Sequence, residues 1–87
     1  MDQQILDQSG AASDPVYPNY IRDVTFIVQF HDATGVHFEL RVSGDQWVRI
    51  QDSDLFEDGV LSFENIENPI RAVPHNGSVS VWATAKN

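Results

Sequence analysis

The sequence predicts an all-β fold, a small antiparallel β-sandwich or barrel of five to six strands with a flexible N-terminal arm. Three observations carry that expectation. From Val24 to Gln51 apolar and polar residues alternate through three successive runs, the period of a half-buried strand. Turn signals follow one another at roughly the 8–12-residue spacing of sandwiches and barrels. No stretch sustains a helical period of apolar residues.

Taken in order, Met1 to Tyr20 is polar and turn-rich and reads as the flexible arm (1–20), leaving 21–87 as a single β domain. Within the arm, Ile5, Leu6, Val16, Tyr17 and Tyr20 could still dock on a sheet edge or a neighbouring subunit. The first strand of the alternating stretch turns Val24, Phe26, Val28 and Phe30 inward, and Thr25, Ile27, Gln29 and His31 outward. Asp32-Ala33-Thr34-Gly35 predicts a type I turn with a G1 bulge and Gly35 at positive φ. Phe30 then faces Phe38 and His31 faces His37. In the second strand Val36, Phe38, Leu40 and Val42 point in, with His37, Glu39 and Arg41 outward.

A turn around Gly44-Asp45 leads to the third strand, with Val48 and Ile50 inward and Trp47, Arg49 and Gln51 outward. Keeping Val42 opposite Val48 requires a three-residue loop, or a bulge, and sets Arg41 against Arg49. Two opposed arginines cost stability unless an anion joins them. Asp52 to Glu67 holds six acids and no base, with a short strand at Gly59–Glu64 that turns Leu61 and Phe63 inward. Asn76-Gly77 predicts a type I′ hairpin pairing Pro74 with Val79 and Arg71 with Trp82. Its inward face is Ile70, Ala72, Pro74, Val79, Val81 and Ala83. Pro74 lacks the N–H of a ladder and so marks Pro69–His75 as an edge strand.

Composition narrows the function. Thirteen acids against five Lys plus Arg give a formal charge of −8, which disfavours nucleic acid and anionic membrane as partners. The chain has no cysteine, hence no disulfide and no thiolate chemistry. Met1-Asp2-Gln3-Gln4 does not begin a signal peptide and no run is long enough to span a bilayer, so a cytoplasmic setting is expected. Eighty-seven residues bury only roughly 60% of the unfolded chain's surface, and such a thin core makes a homo-oligomer the expectation.

No Ser-His-Asp spacing or phosphate loop appears, so neither an enzyme nor a cofactor is expected. His31, His37 and Glu39 are too few for a zinc site. Asp58–Glu64 resembles the second half of an EF-hand loop, but Phe56 and Asn65 fall where the third-position ligand and the bidentate Glu belong. The unusual feature is two outward tryptophans. Trp47 and Trp82, with Arg41, Arg49, Glu39 and Arg71, form the candidate ligand-binding set. They point to a non-enzymatic, lectin-like module recognising a neutral ligand such as carbohydrate, since sugar C–H faces pack on indole. The alternative is an acidic protein–protein interaction or inhibitor protein using the same face and the 52–67 loop. The plainest alternative is that Arg71 covers Trp82 and the arm covers Trp47.

Overall fold

Alternation along the chain becomes two layers in space. The computed structural model describes residues 2–13, 15–16 and 22–86. Seven strands form: β1 (Asp2–Ser9), β2 (Arg22–Phe30), β3 (Gly35–Ser43), β4 (Gln46–Arg49), β5 (Gly59–Ile66), β6 (Ile70–His75) and β7 (Val79–Lys86). They build two antiparallel sheets, ordered β1-β7-β2-β5 and β4-β3-β6, which face each other as an open sandwich. Among the described residues there is no helix, and so none long and apolar enough to cross a membrane.

The expected inward faces are the core. Val24, Phe26, Val28, Val79, Val81 and Ala83 come from one layer, and Val36, Phe38, Ile70 and Ala72 from the other. Phe26 and Phe38 meet across the layers with ring centroids 4.6 Å apart, and Phe63 closes edge-on against both. Fully burying each such side chain contributes about 1.5–3 kcal/mol.

The strand pairings differ from the expected hairpins. β2 and β3 lie in different sheets, so Phe30 is not paired with Phe38, nor His31 with His37. β6 and β7 also lie in different sheets: Pro74 pairs with Val36, while Val79 pairs with Phe30. Alternation dictates which side of a strand is buried. Two inward faces are satisfied equally by adjacent strands and by strands opposed across a sandwich. The 31–34 and 76–78 segments are therefore sheet-crossing corners, and they interlock. The Asp32 carboxylate accepts from Ser78 N (2.6 Å) and Ser78 Oγ (2.8 Å), while the His31, Asp32 and Ala33 amides converge on Ser78 O. Those bonds, the backbone one first, hold Asp32 below its ordinary carboxylate pKa. Gly77 has φ +151°, and a Cβ there would lie 2.5 Å from Asp32 O. Gly35 is not in the left-handed region; its smallness instead admits His75 and Phe56.

β3 and β4 do form a hairpin, with a two-residue turn at Gly44-Asp45 and a bulge between Arg41 and Ser43. The register puts Leu40 opposite Val48 and Arg41 opposite Trp47, so the two arginines expected to oppose each other do not. Val42 and Val48 have inward parity yet are 54% and 53% exposed, because this hairpin end lies uncovered by the other sheet. Beyond β4 the chain returns along β3. Leu55 and Val36 exchange two 2.9 Å backbone bonds, and fully buried Ser53 accepts from Phe38 N and donates to Ile50 O.

The described part of the N-terminal arm is not a free coil. β1 pairs with β7 through two irregularities and buries Ile5. Val16 exchanges backbone bonds with Ile70, and Ser13 does so with Ala72 through its amide and hydroxyl. These contacts line β6, which is an edge strand as Pro74 requires. Tyr17 and Tyr20 lie outside the described residues.

Candidate functional site

Outward parity gathers chemistry on one surface, the outer face of β4-β3-β6. β4 contributes Trp47 and Arg49, β3 contributes His37, Glu39 and Arg41, and β6 contributes Arg71, Val73 and His75. The register aligns them in rows: Arg49–Glu39–Arg71 spans all three strands, Trp47 lies opposite Arg41, and His37 lies opposite Val73. An anion between arginines is thus built in: Glu39 separates Arg49 from Arg71.

The side chains form a connected series. The Arg71 guanidinium stacks on Trp47, 4.2 Å from the ring centroid. Its Nε and Nη2 donate to Glu39 Oε1 at 3.0 and 2.7 Å. Glu39 Oε2 meets His37 Nε2 at 2.9 Å, and His37 Nδ1 meets His75 Nε2 at 2.5 Å. With Glu39 ionised, His37 carries its proton on Nε2 and donates it to the carboxylate. Which ring donates across the His37–His75 contact follows from the tautomers of the two imidazoles. Arg49 pairs with Asp54, which reaches in from the segment after β4.

Ionisation follows from this wiring. Burial alone would raise the Glu39 pKa, but the hydrogen bonds from His37 and Arg71 and the Arg71 charge outweigh it and hold it below 4.5. His75 is held below 6.5, first by burial, then by the charges of His37 and Arg49, with Asp54 opposing. His37 is itself buried. The histidines therefore belong to the support beneath the arginine–tryptophan stack.

Trp82 lies elsewhere, on the outer face of the four-stranded sheet. A single row there runs Gln4–Trp82–Ile27–Val60. Trp82 is half-buried, while Ile27 is 39% and Val60 61% exposed. A hydrogen bond between Thr25 and Ser62 flanks this row. Arg71 covers Trp47, not Trp82, which corrects the expected pairing of Arg71 with Trp82.

Of the six predicted residues, Trp47, Arg41, Arg49, Glu39 and Arg71 share one face and Trp82 stands on the other. His37, His75 and Asp54 were missed. The spacing of His37, Glu39 and Arg41 already placed them on one side of β3. What the sequence did not reveal was that β6 lies beside β3. Among the described residues no group of three or more His, Asp or Glu side chains is arranged to hold a metal. No family model, curated protein or solved structure matches this chain.

Proposed function

We propose that this chain is a non-enzymatic, lectin-like binding module that takes a carbohydrate on the outer face of β4-β3-β6. One observation carries the reading: Trp47 is held by Arg71, which is held in turn by Glu39, His37 and His75. An indole on a polar strand is a stacking platform for a sugar ring, and the surrounding guanidinium and carboxylate groups suit hydroxyls. Fixing the ring before binding lowers the ordering cost of the complex. The His37–Glu39 contact, which elsewhere could serve proton transfer, is here committed to positioning Arg71.

Tryptophan fluorescence titration against a glycan panel tests this. A saturable shift in the native chain, lost in Trp47→Ala and kept in Trp82→Ala, is expected. No response to any glycan, or loss confined to Trp82→Ala, overturns it.

The Trp82 row favours a second role for the opposite face. Val60, Ile27 and Trp82 form an uncharged apolar row on a chain of charge −8, and we propose that a second copy packs there. Light scattering at micromolar concentration should give a mass above 9.8 kDa, falling to the monomer in Trp82→Ala; a monomer in the native chain ends this reading.

A further inference from the structure

Two open sheets have four edges, and the chain protects three of them. β4 is only four residues long. β6 carries Pro74 and is lined by Ser13 and Val16, which bond to Ala72 and Ile70. β1 runs along β7 through two register irregularities. Short strands, proline, a covering segment and bulges all close a sheet edge to other chains. β5 has none of these. It runs for eight residues, Gly59–Ile66, without proline or lysine, and pairs residue for residue with β2 from Gly59 to Phe63. Among the described residues β2 is its sole ladder partner, so alternate N–H and C=O groups of β5 point away from the sheet.

Charge decides what that edge excludes and what it admits. No lysine or arginine lies between Arg49 and Arg71, while Glu57, Asp58, Glu64 and Glu67 lie in β5 or just beyond its ends. All four are exposed. Asp58 accepts from the Phe30 amide at 2.7 Å, and among the described residues none of the four is ion-paired, unlike Glu39 and Asp54. The one base on the neighbouring strand, Arg22, lies opposite Ile66 at the far end. A second copy brought edge to edge would set both groups of acids along one seam, in addition to the −8 charge each copy carries. A basic strand meets the opposite condition.

We infer that β5 is the docking edge for an extended basic peptide segment of another protein, which adds to the larger sheet as an antiparallel fifth strand. This goes beyond the carbohydrate reading and uses the other sheet. Register specifies the partner. Val60 lies opposite Ile27 and Ser62 opposite Thr25, so Val60, Ser62 and Glu64 share the outer face of the sheet. In an antiparallel partner the residue opposite Glu64 comes first. Four positions later comes the residue opposite Val60, which is 61% exposed. The next residue on that face meets the acids at Glu57 and Asp58. A fitting segment is therefore basic at its first position, apolar at its fifth and basic at its seventh. Backbone bonds supply the affinity and the two basic positions set the register.

The test uses the full chain and the end-blocked peptide Lys-Thr-Thr-Thr-Val-Thr-Lys, followed by calorimetry and by amide hydrogen exchange. Expected are saturable binding, slowed exchange at the outward β5 amides, and affinity about tenfold weaker when both lysines of the peptide are replaced by glutamate. That difference should narrow between roughly 0.05 and 0.5 M salt. Glu64→Lys should weaken the lysine peptide several-fold, with circular dichroism showing the sheets intact. N-methylation separates the ladder from charge. Methyl groups on one alternate set of peptide nitrogens should abolish binding and on the other set leave it, because only one set faces β5. Equal binding of the two methylated peptides, equal binding of the lysine and glutamate peptides, or no binding at all overturns the inference. Slow exchange of the outward β5 amides in the free chain that quickens on dilution would assign the edge to a second copy, and overturns it too. None of these outcomes bears on glycan binding at Trp47.

Discussion

The two outer faces of the sandwich solve the same problem differently. Each carries a half-buried tryptophan, on the edge strand β4 of one antiparallel sheet and on the interior strand β7 of the other. On β4-β3-β6 the indole is held by a cation, and that cation belongs to a five-residue series ending at His75. On β1-β7-β2-β5 the indole lies in a row with Ile27 and Val60, between the Thr25–Ser62 hydrogen bond on one side and Ser80, bonded to Gln8 N and His31 Nε2, on the other. Aromatic exposure alone is a poor guide to a binding site. What distinguishes the two indoles is their contact with charge: Trp47 is stacked under a guanidinium that is itself ion-paired, while the row through Trp82, Ile27 and Val60 is apolar.

Breaking the wiring should have the largest effect. Glu39→Ala leaves Arg71 and His37 without their shared acceptor in a half-buried place, and is expected to cost about 2–3 kcal/mol in urea denaturation. Ser62→Ala, which removes the exposed hydrogen bond on the opposite face, should stay within about 0.5 kcal/mol. Equal losses would mean that the two faces do not differ in the way described.

Acidity should separate the faces next. His75 has a folded pKa below 6.5, so on acidification the unfolded chain takes up this proton first. Its contribution to stability is complete above pH 6.5 and declines as pH falls below that value towards the folded pKa. Glu39, held below 4.5, adds a second decline beginning near pH 4.5 and complete only once its folded pKa is passed. The groups facing the histidine pair are Glu39 on its own strand β3, Arg71 on β6, Arg49 on β4 and Asp54 after it. Thermal unfolding against pH should show the upper step in the native chain and lose it in His75→Gln. Persistence of that step in the variant would show that His75 does not cause it.

The smallest effect sharpens the comparison by separating binding from stability. Arg49→Gln removes an exposed ion pair and should shift stability by less than about 1 kcal/mol. A larger loss would make Arg49 part of the supporting series.

Much of this was legible in the residues, and the limits have a physical reason. The period-two pattern identified the inward set from Val24 to Ala83 almost entirely, and Pro74 placed β6 at an edge. Val42 and Val48 escaped because parity says which side a residue takes, not whether another layer covers it. Partner choice was hidden more deeply. Asp32–Gly35 and Asn76-Gly77 carry strong turn chemistry, and a turn that joins two sheets draws on the same residues as one that joins neighbours. The site followed suit. The charged residues of β3 and the arginine of β6 were visible, while their adjacency depended on a pairing between segments more than thirty residues apart.

The interleaving of the two layers also sets an order of events for a growing chain. Among the described strands only β3 and β4 are both consecutive and paired; β1 and β2, consecutive in the chain and in the same sheet, are held apart by β7. Among the described residues β1 has β7 as its sole ladder partner, so its ladder forms only once residues from Val79 onward exist. The 31–34 corner waits as well, since its anchor is Ser78. Synthesis can complete neither the larger sheet nor the lock between corners piecemeal. Completion of the larger sheet is therefore a late step that joins distant segments, slow by the measure of loop entropy. A chain cut short before Val79 would leave exposed sheet edges where the intact protein has a central strand.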